Sequence, residues 1–193
     1  MLKLPTNLAS LARLAAKEDI RYALSAIRVR ETTEGYEVVA TDGRRMAVVT
    51  GPGLCEETVP ALEEAPNGAC EALLPAGEWA RILKGAKRQP ALAALGPEVT
   101  TFSVGTDIST VPNQEGRFPD VERAAEDCCR SLLRVRVPAR QLAELLLVAA
   151  EFSADGPRDG SVILHYGGQG KPLLVTCDNA EGQHFQAAIM PLT

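Results

Sequence analysis

A short phrase that ends in proline occurs three times in the chain, and each copy is followed by apolar residues at helical spacing. The phrases are LKLP at Leu2–Pro5, ALLP at Ala72–Pro75 and VRVP at Val135–Pro138, and we call them the lead segments. Proline suits the first turn of a helix, because its missing N–H would have no partner there in any case. The repeat indicates that one structural unit is used three times along the chain.

Each predicted helix carries one apolar stripe and is followed by three β-rich runs. After Pro75 the stripe is Trp79, Ile82, Leu83 and Ala86, and after Pro138 it is Leu142, Leu145, Leu146 and Ala149, at the same offsets. After Pro5 the stripe begins one residue earlier, at Leu8. Such spacing is typical of helices with one buried face. The sequence therefore predicts an α+β fold built from three βαβββ modules.

Composition limits the cellular setting of the protein. The chain has 193 residues, is 46% hydrophobic and 23% charged, and has a net charge of −5. No apolar stretch approaches the roughly 20 residues that a membrane-spanning helix needs. The five cysteines are an odd number without metal-binding spacing: Cys55, Cys70, Cys128, Cys129 and Cys177. We therefore expect a cytoplasmic protein with no membrane partner and at least one free thiol.

Candidate catalytic groups are few. The two histidines, His165 and His184, lie inside predicted strands and have no nucleophile motif beside them. The glycine-rich run Gly167–Pro172 lacks the residues of a phosphate-binding loop and precedes a predicted strand rather than a helix. No set of paired carboxylates falls on one predicted face. The sequence predicts neither an enzyme nor a site for a cofactor or metal.

Four longer motifs resemble one protein family. RYALSAIRV at Arg21–Val29 and VATDGRRMAV at Val39–Val48 resemble the middle domain of the bacterial sliding clamp, the beta subunit of DNA polymerase III. EGRFPDVE at Glu115–Glu122 resembles the phrase that ends that domain, and AAIMPLT at Ala187–Thr193 resembles the C-terminal end of the clamp. The resemblance implies a DNA clamp fold, in which helices line a central channel and strands form an outer sheet.

The resemblance also implies how the modules are grouped into domains. Residues 1–127 resemble a complete middle domain, with modules at 1–60 and 69–127, and residues 130–193 resemble the second half of the last domain. A clamp chain of this family has six modules and its ring has twelve, so four copies of a three-module chain would close a ring. We therefore expect a homo-oligomer, with a tetramer as the assembly that would close a ring. A monomer with two exposed sheet edges is the competing hypothesis.

Basic residues on the predicted helices are the candidates for contact with double-stranded DNA. Arg81, Lys84 and Arg88 fall at i, i+3 and i+7, on a face away from the apolar stripe. The whole candidate group, called the basic set below, is Arg13, Lys17, Arg81, Lys84, Lys87, Arg88 and Arg140. The net negative charge argues against a protein whose whole surface binds DNA. The alternative is that these side chains only solvate the helices.

The resemblance further implies a groove that docks peptide motifs of polymerases and repair proteins. One side, called the hairpin set below, is Leu24, Thr41, Gly43, Arg44, Arg45 and Met46. The other side, called the tail set, is Ala188, Met190, Pro191 and Leu192. An apolar slot with a few polar anchors suits an extended peptide with hydrophobic ends. The alternative is that these residues are only a hairpin turn and the end of a strand.

These expectations combine into one functional hypothesis with two alternatives. The hypothesis is a non-enzymatic, sliding-clamp-like processivity factor of DNA replication or repair, which encircles DNA as a homo-oligomer and docks clamp-binding peptides. The first alternative is a clamp-fold adaptor or decoy that binds partner peptides without encircling DNA. The second is a structural module that associates through its sheet edges.

Overall fold

The computed structural model describes residues 1–17, 22–53, 62, 70–87, 89–120, 135–152, 161–168, 170–178 and 184–192. The chain divides into two compact units, unit 1 at Met1–Ala124 and unit 2 at Ala125–Thr193. Unit 1 contains the first two lead segments, and unit 2 contains the third. No helix in the described part of the chain is long and apolar enough to cross a membrane.

Unit 1 has the βαβββ order twice. Its strands in the described residues are β1 (Leu2–Leu4), β2 (Ala26–Thr32), β3 (Gly35–Thr41), β4 (Met46–Pro52), β5 (Glu71–Pro75), β6 (Ala91–Leu95), β7 (Val99–Val104) and β8 (Asp107–Pro112). A 3₁₀ helix at Thr6–Leu14 follows β1, a 3₁₀ turn at Tyr22–Leu24 precedes β2, and α1 (Ala76–Gly85) follows β5. The helices begin directly after Pro5 and Pro75, as the lead segments predict.

The first helix of unit 1 is a 3₁₀ helix over its whole length, which the apolar spacing did not distinguish from an α-helix. The N–H of Leu8 donates to the carbonyl of Pro5 over 3.2 Å, and the Ser10 hydroxyl donates to the carbonyl of Asn7 over 2.8 Å. Both bonds span three residues. Because a 3₁₀ helix has three residues per turn, Leu8 and Leu11 lie on one face, and both are buried.

The two modules of unit 1 exchange their first strands. One sheet has the order β4-β3-β2-β5, and the other has the order β1-β6-β7-β8. The strand β1 of the first module thus pairs with β6 of the second, with Leu2 opposite Ala93. The strand β5 of the second module pairs with β2 of the first, with Ala72 opposite Val29. Each sheet is therefore complete only when both modules are present.

The helices of both modules pack into one core. Trp79 of α1 is 1% exposed, and its indole Nε1 donates to the backbone carbonyl of Leu8 over 2.9 Å. Its ring meets that of Phe102 edge to face, with centroids 6.5 Å apart. Burial of one such apolar side chain stabilises a fold by roughly 1.5–3 kcal/mol. Trp79 of α1 thus contacts both the 3₁₀ helix of the first module and β7 of its own module.

A second, smaller cluster lies around the Phe118 ring of the EGRFPDVE motif. Phe118 is buried with Ala26, Val39 and Leu73. The guanidinium carbon of Arg28 lies 5.4 Å from the centroid of the Phe118 ring, close enough for a cation–π contact. The Phe118 ring of this motif thus covers the buried side chain of Arg28.

Unit 2 contains one module. Its elements in the described residues are α2 (Ala139–Phe152), β9 (Ile163–Tyr166), β10 (Leu173–Asp178) and β11 (His184–Ile189). The strands form a sheet of order β11-β10-β9. Ala149 of α2 packs with Val175 and Cys177 of β10 to form the core of this unit.

The third lead segment, Val135–Pro138, differs from the first two because it is not paired into a sheet. In unit 1, β1 and β5 each pair with a strand of the other module. Among the described residues of unit 2 there is no second module that could pair with this segment. Among the described residues, this segment therefore lacks the strand pairing that the other two lead segments have.

Candidate functional site

The hairpin between β3 and β4 is held by one aspartate. The Asp42 Oδ1 atom accepts bonds from the backbone N–H groups of Arg44 (2.9 Å) and Arg45 (2.7 Å). The Arg45 guanidinium adds two bonds to Oδ2, at 2.8 and 3.0 Å. The backbone bonds from Arg45 and Arg44, followed by the Arg45 side chain, hold the pKa of the Asp42 carboxyl well below its usual range. The carboxylate thus stays ionised and fixes the turn.

Thr41 and Gly43 complete this turn. The Thr41 hydroxyl donates to the carbonyl of Arg45 over 2.8 Å and accepts from the N–H of Gly43 over 3.0 Å. Gly43 has φ of +86°, a conformation that side-chain-bearing residues rarely adopt. The Thr41 side chain is buried and already engaged by the turn. Of the hairpin set, Thr41 and Gly43 therefore shape the loop, and the other residues form its surface.

An apolar surface lies beside this turn. The Cδ1 atom of Leu24 comes within 3.6 Å of the position that a Cβ atom at Gly43 would occupy. Met46 begins β4 directly opposite Thr41 and is 37% exposed, and Val48 on the same face of the strand is 40% exposed. Because β4 is an edge strand among the described residues, no described strand pairs with its outer backbone groups. This part of unit 1 combines apolar side chains with an open strand edge.

Two arginines border the apolar surface. Arg44 and Arg45 are both exposed on the hairpin turn, and the Arg45 side chain is engaged by Asp42. The turn thus presents positive charge next to Met46. A peptide that carries both hydrophobic and acidic residues has the complementary character.

The tail set lies in unit 2, at the end of β11. Ala188 is exposed and pairs with Leu174 of β10. Met190 and Leu192 are large apolar residues that are at least half exposed, and Pro191 between them is half-buried. The N–H of Leu192 donates to the carbonyl of Arg136 over 2.6 Å, which anchors the tail to the third lead segment. The tail set is thus a second exposed apolar strip.

The structure brings part of the basic set together. Arg13 of the 3₁₀ helix and Lys84 of α1 line one surface depression of about 500 Å³, whose other walls include Asn7 and Ala80. Lys17 and Lys87 are also exposed in unit 1. Two neighbouring cations over a shallow depression suit contact with phosphate groups.

The remaining members of the basic set are placed differently. The Arg81 guanidinium donates to Oε2 of Glu78 at 2.6 and 2.9 Å, so a neighbouring carboxylate offsets its charge. Arg140 is exposed on α2 of unit 2, and Arg88 lies outside the described residues. Lys84 and Arg13 are therefore the members that the structure places side by side.

The described residues contain no group of three or more histidine, cysteine, aspartate or glutamate side chains that could hold a metal ion. The Nε2 atom of His165 lies 2.9 Å from the Thr176 hydroxyl, on the neighbouring strand. The His165 imidazole thus contacts the neighbouring strand of its own sheet in unit 2.

Comparisons with known structures identify the architecture. The DNA polymerase III subunit beta of Pseudomonas aeruginosa is 21% identical with a TM-score of 0.66, and 96% of this chain covers 48% of it. The Bacillus subtilis sliding clamp is 13% identical with a TM-score of 0.74, and 98% of this chain covers 48% of it. The C. crescentus beta sliding clamp is 21% identical with a TM-score of 0.67, and 98% of this chain covers 50% of it.

The chain has the sliding-clamp fold. It spans about half the length of the clamps that it matches. No protein-family model matches the chain, and no curated protein sequence matches it significantly. The likeness is therefore one of fold, and it agrees with the three-module architecture that the repeats predict.

Two residues outside the predicted hairpin set also bear on the candidate site. Val48 extends the apolar surface of Met46, and alternation along a strand, which places residues i and i+2 on one face, could have found it. Asp42 holds the hairpin through its side chain, and the Asp-Gly pair followed by two arginines carries that signal.

Proposed function

We propose that this protein is a non-enzymatic, sliding-clamp-like processivity factor of DNA replication or repair. It docks short peptides of polymerases or repair proteins and encircles double-stranded DNA as a homo-oligomer. The observation that carries the proposal is the exposed apolar pair Met46 and Val48 on an edge strand, next to the hairpin that Asp42 fixes. The clamp fold supports the proposal, because the family that the motifs resemble docks peptide motifs in the corresponding groove.

The hairpin surface suits an extended peptide for three reasons. Leu24 and Met46 offer apolar contact for hydrophobic side chains. The open edge of β4 offers backbone groups with which an extended chain forms hydrogen bonds. The rigid turn costs little entropy when a peptide binds, because Asp42 and Thr41 already fix it.

The tail set is proposed as a second contact for the same class of peptide. Met190 and Leu192 expose apolar side chains at the end of a strand. We assign them a separate contribution to affinity, which deletion of the tail measures independently of the hairpin.

The DNA-binding part of the proposal depends on the basic set. Arg13 and Lys84 share one depression, and the contact is with phosphate and independent of base sequence. A ring of twelve modules takes four copies of a three-module chain. The homo-oligomer is thus part of the proposed mechanism, because a single copy cannot surround DNA.

Peptide affinity tests the proposal. A fluorescent peptide that carries a clamp-binding motif is titrated with the full chain, and binding is followed by fluorescence anisotropy. Loss of one buried methionine contact corresponds to roughly 1.5–3 kcal/mol, or about a 10- to 100-fold rise in Kd. We therefore expect Met46→Glu to weaken binding by at least about tenfold.

A matched control is Ile108→Glu, because Ile108 is also an exposed apolar residue on an edge strand, β8 of the other sheet of unit 1. This variant is expected to bind the peptide with unchanged affinity. Deletion of residues 190–193 is expected to weaken binding to a smaller extent. Equal affinities of the wild-type protein and Met46→Glu contradict the hairpin assignment. Peptide binding without any association with circular DNA favours the adaptor or decoy over the clamp.

A further inference from the structure

The three lead segments contact their own modules at corresponding positions. In each, the residue two positions before the proline forms a backbone hydrogen bond with a residue just beyond the last strand of its module. The N–H of Lys3 donates to the carbonyl of Gly53 (2.6 Å), whereas the carbonyls of Leu73 and Arg136 accept from the N–H groups of Gln114 (2.7 Å) and Leu192 (2.6 Å). The third lead segment is therefore placed in its module as the first two are in theirs.

The other edge of each lead segment distinguishes unit 2 from unit 1. Neighbouring residues of an extended strand direct their backbone groups to opposite edges. In unit 1 the second edge pairs with the sister module, through β1 with β6 and β5 with β2. In the described residues of unit 2, Val135 and Val137 have no strand to pair with, and the outer edge of β9 is also open.

Unit 2 also exposes apolar surface where unit 1 buries it. The α1 stripe Trp79, Ile82 and Leu83 is buried, whereas the residues at the same offsets in α2, Leu142, Leu145 and Leu146, are only half-buried. Leu164 of β9 lies opposite the buried Val175 and so faces the helix side of the sheet, yet it is 51% exposed. Its equivalents in unit 1 by the same pairing, Val29 and Ala93, are fully buried.

We propose that unit 2 is completed by unit 2 of a second copy of this chain. The lead segment Val135–Pro138 of each copy pairs antiparallel with β9 of the other, which places Val135 opposite Leu164 and Val137 opposite Val162. This register repeats the apolar pairs Leu2–Ala93 and Ala72–Val29 of unit 1. The interface is isologous, because each copy contributes the same segment and the same strand.

This pairing goes beyond the proposed function, since it requires neither DNA nor a peptide. It joins two half domains into one two-module domain of the kind that unit 1 forms alone. The partner is a second copy rather than another protein, because the described residues of each copy contain both an unpaired lead segment and the open β9 edge that such a segment would complete.

Light scattering on a sizing column tests the pairing with the full chain. We expect a mass of about 41 kDa, twice the 20.5 kDa of one chain, or a multiple of it. Leu164→Lys is expected to halve that mass, because the exposed side chain tolerates lysine in one copy but the interface buries it. Val137→Pro is expected to do the same by removing a backbone donor at the paired edge.

The control is Val99→Lys, an exposed apolar residue on an interior strand of unit 1, which is expected to keep the wild-type mass. Circular dichroism checks that each variant is folded. A monomeric wild-type protein at 100 micromolar concentration, or a mass that neither Leu164→Lys nor Val137→Pro lowers, overturns the inference. Peptide affinity is expected to stay unchanged in Leu164→Lys, which lies outside the hairpin and tail sets, so a failure of the pairing is distinguishable from a failure of the docking site.

Discussion

The Nη2 atom of Arg28 donates a hydrogen bond of 2.8 Å to Oε1 of Glu37, and both side chains are almost fully buried, at 9% and 12% exposure. The same carboxylate oxygen lies 3.1 Å from Nη2 of Arg30. Phe118 covers the Arg28 guanidinium. One carboxylate on β3 thus holds two cations of β2, inside the sheet that carries the candidate docking hairpin.

Removal of this carboxylate is expected to destabilise unit 1 strongly. Glu37→Ala leaves Arg28 buried without its charge partner, which costs about 3–5 kcal/mol. Urea unfolding measures this loss through the fluorescence of Trp79, the single tryptophan of the chain, which lies in unit 1. The matched control is Glu78→Ala, which breaks the exposed pair with Arg81 and is expected to cost less than about 1 kcal/mol. Equal losses in the two variants contradict this account of the buried pair.

Acid is expected to weaken the hairpin through Asp42. Because the folded pKa of this carboxyl lies below its ordinary value of 3.8, the ionised form stabilises the fold above that pH, and the contribution is lost as the pH falls below it. Asp42→Asn keeps the oxygen acceptor but removes the charge. The difference in unfolding free energy between wild type and variant is therefore expected to be constant near neutral pH and to shrink between about pH 4 and pH 2.

The control for this titration is Asp107→Asn, an exposed aspartate at the start of β8. This substitution is expected to change the unfolding free energy by less than about 0.5 kcal/mol throughout the same range. A difference for Asp42→Asn that does not depend on pH contradicts the role given to the carboxylate.

Charge reversal in the depression between the helices of unit 1 is expected to weaken DNA binding. The double variant Arg13→Glu with Lys84→Glu removes two phosphate contacts, so its affinity should fall and the slope of log affinity against log salt should decrease by about 2. Filter binding to double-stranded DNA at several salt concentrations measures both quantities. The control, Arg117→Glu with Lys171→Glu, changes the net charge equally with residues outside the basic set. Equal effects of the two double variants contradict a localised DNA contact.

The repeats made the order of elements in unit 1 predictable, because helices begin directly after Pro5 and Pro75 and each is followed by three strands. The exchange of β1 and β5 between modules was not predictable, since pairing partners depend on tertiary packing that local patterns do not encode. For the same reason, the strand-like sequence Val135–Pro138 did not reveal that it has no partner strand among the described residues. A strand in this position is defined by its neighbour as much as by its own residues.

The candidate site was predictable only in part. The hairpin set followed from the resemblance of one motif, and the structure places Leu24 against Gly43 and Met46 beside Thr41. Whether each predicted side chain is free to contact a ligand was not predictable. Thr41 is buried in the turn, and Glu78 offsets the charge of Arg81. Such local pairings depend on rotamers and distances rather than on residue type.

The three methionines of the chain allow the most direct test of the docking proposal. Methyl-labelled methionine gives one NMR signal each for Met46 in the hairpin set, Met190 in the tail set and Met1 in neither. Addition of a clamp-binding peptide to the full chain is expected to shift the Met46 signal in a saturable manner, to shift Met190 if the tail contributes, and to leave Met1 unchanged. An unchanged Met46 signal at saturating peptide concentration would contradict the account.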